Sequence, residues 1–454
     1  MMSGVLLRSL SLTLLSLLPI ASLVYFLSLQ LLGINHESSY FAVWSVAVWF
    51  IPLALLLPNF IRHQVSITGI DVTFCLVSVL LAVHLKVLTL HAGLRDWALL
   101  VTFWVGPYAA ARLVSAQDIM RFLKILGAIT LTVSAAAIAW QFSLQLTAGD
   151  NLRPVMLGLN HGVLIVAVAL GITVVIQASG ASGKCSIATW TRPMIAALVT
   201  AALVVVGARG VVIATIATAL LMVLAPTRDG RRGRIVVFAA ILVGATLALI
   251  LNHAARDFMV RTYLPLEPPV GAGLPGLGRD SPAGAGVLSL GGDSEPPAGV
   301  PREECDQLFK MVDSTPIRIW LIQQGFLLFR ETPVFGIGLE NFAARTCPGS
   351  FPHNTILQAF VEMGVVGGIA YVLLLGTAIF LLIGLTINRL PCTSRPAIVV
   401  LALLLFFIIL DQFYGRILLS STAGLLLGFS ASLVTRSEHP HLRGWPIRNS
   451  ENSR

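Results

Sequence analysis

A histidine and an amide stand where a long apolar stretch begins, in the last third of this chain of 454 residues. Pro352-His353-Asn354 precedes the stretch, and Glu362-Met363-Gly364 and Gly367-Gly368 lie inside it. If the stretch is a helix, His353 lies at its N-terminus, where the helix dipole favours the neutral imidazole. A neutral imidazole can take a proton from a hydroxyl group as a general base. A lone histidine can equally be an interfacial anchor, and Asn354 a simple helix cap, so the pair needs partners.

Four arginines are candidate partners for an anionic ligand. Arg153, Arg209, Arg318 and Arg416 all fall in segments predicted on the same side of a membrane as His353. A guanidinium group binds phosphate through two hydrogen bonds and does not lose its charge. Each arginine alone is as well explained by an interfacial anchor or a head-group contact. Together with His353, the four predict a site for a phosphate-bearing substrate.

Several other kinds of chemistry have no motif in the sequence. There is no Gly-x-x-x-x-Gly-Lys-Ser/Thr phosphate loop, so an ATP-driven pump is not supported. Asp71, Asp118 and Asp411 are isolated, and no paired carboxylates occur in an outer segment. A metal-dependent glycosyltransferase is therefore disfavoured, and we predict neither a metal nor a cofactor. Glu362 is expected to face a basic partner or to make a packing contact between helices.

The composition is that of an all-α polytopic membrane protein. Hydrophobic residues make up 56% and charged residues 11%, against about 25% charged in soluble domains. About 20 apolar residues cross a bilayer. On that criterion there are twelve candidate spans: Leu10–Leu32, Tyr40–Phe60, Ile67–Leu85, Trp97–Ala111, Ile125–Leu146, Met156–Ile176, Met194–Val206, Val211–Ala225, Ile235–Leu251, Ile356–Ile383, Ala397–Leu410 and Leu418–Val434. The net charge of +9 forms no basic stripe, so nucleic acid is not an expected partner.

The basic residues predict the orientation. With twelve spans and both termini in the cytoplasm, 17 of the 30 lysines and arginines are inside and 5 lie in short outside segments. The first span lacks a cleavage site and is expected to be retained. Spans seven and eight are short and meet at Gly207-Ala208-Arg209-Gly210. Merging them would move the basic run Arg228–Arg234 outside, so we interpret them as separate helices.

Four regions follow from these spans: helices one to nine in residues 1–251, a large outer loop in 252–352, helices ten to twelve in 353–435, and a basic tail in 436–454. The loop is rich in glycine and proline over Pro265–Pro301, which predicts no regular helix there. A helix start follows at Asp313-Ser314-Thr315-Pro316, and the apolar run after it is expected to lie at the interface or on the bundle. Cys305 and Cys347 flank this helix, and an oxidising compartment would favour a disulfide between them.

Several stretches, in order, resemble the superfamily of O-antigen ligases and O-antigen polymerases. They are Arg153 with Asn160-His161-Gly162, Gly207-Ala208-Arg209-Gly210, Arg318-Ile319-Trp320, Thr332–Phe342, and Pro352-His353-Asn354 with Glu362-Met363-Gly364. The resemblance covers Arg153–Gly368. One departure is Ala208, where the family often has serine.

The resemblance implies a GT-C-like helical bundle in the bacterial inner membrane, with its large loop in the periplasm. The donor would be a glycan on undecaprenyl diphosphate, held by Arg209 and Arg318 and by Arg153. His353 would be the general base, and Asn354 would orient it or the sugar. Apart from the resemblance, we add Arg416, Glu362 and Asn160 as candidate supporting residues.

The acceptor separates the members of the superfamily. A ligase transfers the glycan to lipid A–core, a polymerase to another glycan and an oligosaccharyltransferase to a protein. Only a basic tail follows the last span, which disfavours the protein-modifying branch, and we favour ligase over polymerase. A secondary transporter is the alternative from another class, although the two halves show no matching pair of broken helices.

The predicted orientation can be tested in whole cells. The variant Ser289→Cys places a thiol in the large loop, and a membrane-impermeant maleimide should label it before lysis. The unsubstituted chain is the control, since Cys305 and Cys347 would also react if they were unpaired. Labelling of Ser289→Cys only after lysis would put the loop, and His353 with it, in the cytoplasm.

Overall fold

The structure is a computed structural model and describes residues 2–20, 38–62, 66–87, 94–148, 160–180, 188–225, 230–251, 314–346, 352–387, 391–414, 417 and 421–438. All regular structure in these ranges is helical. The α-helices are α1 (Met2–Leu17), α2 (Ser38–Arg62), α3 (Gly69–Val87), α4 (Leu94–Leu100), α5 (Gly106–Arg112), α6 (Ala116–Ala148), α7 (Asn160–Ser179), α8 (Ala188–Val206), α9 (Arg209–Leu224), α10 (Arg231–Leu251), α11 (Ser314–Glu331), α12 (Asn341–Arg345), α13 (Thr355–Ile387), α14 (Pro391–Tyr414) and α15 (Ser421–Glu438). A 3₁₀ turn, Leu18–Ile20, follows α1, and a π-helical turn, Val101–Val105, joins α4 to α5.

Over the ranges just given, the protein is all-helical. Its apolar helices are those of a membrane protein. By length and composition, four of the described helices can cross a bilayer: Gly69–Val87, Arg231–Leu251, Thr355–Ile387 and Ser394–Tyr414. Shorter apolar helices lie in α1, α2, α7, α8, α9 and α15. Each of the twelve predicted spans overlaps a helix, but the number of crossings stays a prediction.

Helix α14 lies at the centre of the bundle. It packs against α7, α9, α13 and α15, and its apolar side chains, among them Val400, Leu404 and Phe406, are fully buried. A helix that is apolar all round needs such a buried place. Its C-terminal end is therefore surrounded by several other helices, and this is where the candidate site lies.

Two predicted short spans are separate helices in the structure. Helix α8 ends at Val206, and Gly207 then has a φ of 77°, in the left-handed region. Helix α9 starts at Arg209, and the Val212 amide donates to the Ala208 carbonyl as its first helical bond. The left-handed glycine ends one helix and lets the next begin in a new direction.

The helix that follows His353 folds back on itself. The sequence predicts one straight span, Ile356–Ile383, but Gly364 has φ 68° and ψ −170°, a conformation nearly restricted to glycine. In a straight helix Thr355 and Tyr371 would be about 24 Å apart, yet their side chains interact. The predicted span is corrected accordingly. Residues 365–387 are the part long enough to cross about 30 Å of hydrocarbon.

A short segment before α12 holds this reversal in place. The Ile337 and Gly338 amides donate to the carbonyls of Val361 and Glu362, both at 3.0 Å, and the Val365 amide donates to the Pro333 carbonyl at 2.8 Å. We call residues 333–338 the strap. The strap includes Phe335-Gly336-Ile337-Gly338. This stretch and the Glu362-Met363-Gly364 motif thus contact each other through their backbones.

A buried histidine of helix α3 contacts the strap. His84 of α3 is 2% exposed, and its Nε2 lies 2.9 Å from the Phe335 carbonyl. Its Nδ1 lies 2.7 Å from the Leu80 carbonyl. Because a carbonyl can only accept, the ring N–H is the donor in whichever of these contacts is a hydrogen bond. Helix α3 therefore helps to hold the strap in position.

Two carboxylates that look isolated in the sequence are paired in the structure. Asp71 accepts a hydrogen bond from Arg112 Nε at 2.8 Å and another from the Tyr108 hydroxyl at 2.6 Å. Asp118 pairs with Arg8. The sequence did not reveal these basic and hydroxyl partners, because they come from other helices. These pairs tie α3 to α5 and α1 to α6.

Of the outer loop, the structure describes residues 314–346 and 352. The predicted helix start at Asp313–Pro316 is confirmed to within a residue, since α11 begins at Ser314. Helix α11 packs on the first part of α13, where Gly325 faces Leu357. Arg153, Arg416, Cys305, Cys347 and residues 265–301 lie outside the described residues, so the predictions about them stay predictions.

The glycine at the fold-back can be tested by substitution. The variant Gly364→Ala should destabilise the protein by about 3 kcal/mol or more, because its backbone conformation excludes other residues and a Cβ would overlap the Val334 carbonyl. Thermal unfolding of purified protein measures the loss. Gly376→Ala is the matched control, since nothing lies within 4 Å of a Cβ at that position in the same helix. Equal stability of the two variants would contradict the fold-back.

Candidate functional site

His353 is held in an unusual backbone conformation. Its φ is 51°, and among the described non-glycine residues only Glu340 shares a positive φ. Such a conformation costs about 1–3 kcal/mol and persists only where the surroundings enforce it. The surroundings are defined: Pro352 before it is buried, and the helical bonds of α13 begin directly after it. The half-buried imidazole therefore leaves the chain in a direction that a normal backbone would not give.

Asn354 caps the first turn of α13. Its side-chain oxygen accepts from the Leu357 amide at 2.8 Å, and its backbone carbonyl accepts from the Gln358 amide at 2.8 Å. This is the geometry of an N-cap, which satisfies an amide that the helix leaves without a partner. The interpretation of Asn354 as a cap is confirmed. The cap also fixes where His353 stands relative to the helix.

Thr355 connects this helix start to the end of α14. Its hydroxyl accepts from Gln412 Nε2 at 3.3 Å and also interacts with the Tyr371 side chain. Tyr371 is buried and lies close to the Asp411 carboxylate. The fold-back at Gly364 makes these contacts possible, because it returns Thr355 to the level of Tyr371.

A second polar layer lies one turn further along α13. Gln358 Nε2 donates to the Glu362 carboxylate at 2.9 Å, and Gln358 Oε1 accepts from the Ile417 amide at 3.2 Å. Gln358 and Glu362 are both 1% exposed. This hydrogen bond of Glu362 lies within its own helix, so the two roles expected for Glu362 stay predictions. Gln358 in turn joins α13 to the segment after α14.

Arg209 and Arg318 approach the same end of α14 from two directions. Arg209 is the first residue of α9, and a Cβ on its neighbour Gly210 would lie 2.6 Å from Tyr414 Cε2. Arg318 lies in the first half of α11, and its guanidinium carbon is 5.3 Å from the centre of the Tyr414 ring. Both arginines are half-buried. Tyr414 thus stands between the Arg209 turn and the Arg318 side chain.

The structure brings some of the predicted site residues close to one another. The last turn of α14 contacts the Arg209 turn and Arg318 through Tyr414, and the His353 helix start through Gln412. Asn160 is the first residue of α7, which packs on α14, but its side chain is outside the description. The convergence of two arginines and one histidine helix at a single helix end was not visible in the spacing of the sequence.

A small cavity lies beside this helix end. Its volume is about 160 Å³, and its walls are apolar side chains of α7 and α14. Asp411, Tyr414, Ser421 and Thr422 provide its polar lining. Among the described residues, no group of three or more His, Cys, Asp or Glu side chains is arranged to hold a metal ion.

Sequence reasoning missed most of the polar residues at this end of α14. Asp411 was considered only as a carboxylate without a second carboxylate beside it, and the structure places it near Tyr371 and in the lining of the cavity. Gln412, Tyr414 and the strap-binding His84 were not considered. One signal was available: an ionisable residue at the end of a long apolar run is a default functional candidate, and Asp411-Gln412-Phe413-Tyr414 ends such a run.

Comparison with known families agrees with this geometry. A family model described as O-antigen ligase matches residues 194–372. The matched stretch belongs to the O-antigen ligase and polymerase superfamily. It contains Arg209, Arg318 and His353, and also Gly364 of the fold-back. The family implies an enzyme of the glycosyltransferase or ligase type. No curated protein matches the chain.

The limits of the match separate the candidate residues. Arg153 and Asn160 precede residue 194, and Arg416 follows residue 372. These three rest on the motifs of the sequence alone. The residues gathered around Tyr414 from α9, α11 and α13 all lie inside the matched stretch, whereas Tyr414 itself lies after it.

The cap can be tested separately from any activity. The variant Asn354→Ala should lower the free energy of unfolding by about 1 kcal/mol, because the Leu357 amide loses its acceptor. Asn354→Ser keeps a capping oxygen and should recover most of the loss. Thermal unfolding of the purified variants measures both. Identical melting of Asn354→Ala and the unsubstituted chain would show that the cap contributes nothing.

Proposed function

We propose that this protein is an O-antigen ligase, which transfers a glycan from undecaprenyl diphosphate to lipid A–core at the periplasmic face of the bacterial inner membrane. One observation carries the proposal: the turn that begins with Arg209, the Arg318 side chain and the helix start after His353 all contact the last turn of α14. Arginines and a histidine brought to one helix end suit a reaction with a diphosphate leaving group and a hydroxyl acceptor.

In the proposed reaction, Arg209 and Arg318 hold the donor through its diphosphate. Their charges stabilise the negative charge that develops on the diphosphate as its bond to the sugar breaks. Arginine suits this task because its planar group makes two hydrogen bonds to phosphate and keeps its proton. Arg153 and Arg416 are further candidates for the same anionic group.

His353 is the proposed general base. The acceptor hydroxyl oxygen forms a bond to the anomeric carbon of the donor sugar, and the bond from that carbon to the diphosphate oxygen breaks. The hydroxyl proton passes to the imidazole, and undecaprenyl diphosphate leaves. The strained backbone at His353 supports this role, since strain of this kind clusters at functional sites. Asn354 fixes the helix start from which the imidazole acts, and Glu362 and Asn160 are supporting residues.

A secondary transporter is the second candidate, because the break in α13 is also a feature of transporters. Transporter sites are built from a matching pair of broken helices near the middle of the membrane. Among the described helices, α13 is the one with a non-helical residue inside it. The arginines at helix ends favour the transferase.

The proposed roles predict two different kinetic defects. His353→Ala should lower the rate of glycan transfer about 10²- to 10⁴-fold while donor binding is retained. Arg209→Ala and Arg318→Ala should weaken donor binding about 10- to 100-fold, since a charge-assisted hydrogen bond is lost. Lysine at either position should rescue only in part. Transfer between purified donor and acceptor in a reconstituted system measures rate and KM separately.

A matched control exists for Arg318. Arg330 is an exposed arginine at the other end of the same helix, and Arg330→Ala should leave donor KM unchanged. Near-normal transfer by His353→Ala would reduce the histidine to an interfacial anchor and shift the balance toward the transporter.

The acceptor can be identified from the surface glycan of a deletion strain. A ligase leaves lipid A–core without any O-chain while lipid-linked chains accumulate. A single repeat unit on lipid A–core would instead show that the protein is a polymerase.

A further inference from the structure

Tyr414 ends the central helix and faces a cation. It is the last residue of α14, and the Arg318 guanidinium carbon lies 5.3 Å from its ring centre. A guanidinium group within about 6 Å of an aromatic ring is attracted by the negative ring face. Arg318 comes from α11, which otherwise packs on α13. The ring is thus a contact between this arginine and the middle of the bundle.

The same ring is in close contact with the Arg209 turn. A Cβ on Gly210 would lie 2.6 Å from Tyr414 Cε2 and 3.0 Å from the Phe413 side chain. The approach to Tyr414 is closer than real Cβ atoms make. Gly210 is therefore what lets the first turn of α9 lie against the ring. Because the ring fills this space, the position of Tyr414 is set from the side of Arg209 as well.

We propose that Tyr414 is a positioning residue that sets the distance between Arg209 and Arg318, so that both guanidinium groups meet one diphosphate. This inference rests on the proposed function. Two like charges repel each other while no anion is bound, and the ring face offsets part of that repulsion. An arginine held in advance also loses less side-chain freedom when the ligand binds.

Binding of undecaprenyl diphosphate to the purified full-length protein in lipid nanodiscs tests this role. Tyr414→Leu removes the ring and should raise the Kd by about 3- to 30-fold, the range of a cation–π contact. Tyr414→Phe keeps the ring face and should bind within about twofold of the unsubstituted protein. In the transfer assay, Tyr414→Leu should raise the KM for the donor and leave the KM for the acceptor unchanged.

Two further measurements separate a positioning role from simple packing. In an Arg318→Ala background, Tyr414→Leu should have little further effect on the Kd, because its partner is already absent. Phe122→Leu is the control for loss of an aromatic ring, since Phe122 is fully buried against Phe429 and away from this site. It should leave the Kd of the folded fraction unchanged.

A fluorinated ring covers the case in which Tyr414→Leu does not fold. Polyfluorinated phenylalanine at position 414 keeps the shape of phenylalanine but weakens the negative ring face. It should bind undecaprenyl diphosphate less tightly than Tyr414→Phe does. Equal binding of these two variants, or additive effects of Tyr414→Leu and Arg318→Ala, would overturn the inference.

These measurements distinguish failure of this inference from failure of the proposed function. If the unsubstituted protein does not bind undecaprenyl diphosphate, or if Arg318→Ala leaves its Kd unchanged, the proposed donor site is wrong. If Arg318→Ala weakens binding and Tyr414→Leu behaves like Tyr414→Phe, the donor site stands and only the role of Tyr414 is wrong.

Discussion

The backbone contact between Gly336 and Gly364 is the constraint on which the rest of the site depends. Both residues have a positive φ, and a Cβ on Gly336 would lie 2.5 Å from the Glu362 backbone. No other residue type lets two main chains approach so closely in this conformation. Because the chain reverses at Gly364, Thr355 returns to the level of Tyr371 instead of standing a helix length away. The histidine that precedes Thr355 is thereby brought to the end of α14. The glycines of the motif therefore act through geometry, and the chemistry lies in the residues that they place.

The polar contacts at the end of α14 turn this geometry into a defined arrangement. In an apolar bundle a polar group without a partner costs several kcal/mol, so each one restricts the positions that its neighbours can take. Gln412 meets Thr355, and Gln358 meets both Glu362 and the Ile417 amide. Apart from the Ile417 amide, these groups lie on helices, which favours a precise site. Because α14 is central, its last turn contacts residues from α9, α11 and α13, and their positions are fixed relative to it.

The sequence allowed the fold class and the helices to be predicted, because apolar runs of about 20 residues carry that information locally. It also pointed to His353, Arg209 and Arg318. It could not show the pairing of the helices, since Arg8 and Asp118 are 110 positions apart and no periodicity links them. The fold-back could not be predicted for a related reason. Gly364 is one of several glycines in an apolar run, and only its contact with the strap distinguishes it. Tyr414 was missed because tyrosine near a membrane interface is common without any function.

The proposed reaction also explains why the base and the anion site belong together. In that reaction the hydroxyl proton passes to the imidazole while the bond to the diphosphate breaks, so a base and an anion site serve one exchange of bonds. Both must therefore reach the same pair of bound donor and acceptor. Residues that contact one helix end suit that requirement. A histidine at a strained position directly before a capped helix is well placed for this, because the cap prevents it from moving away as its charge changes.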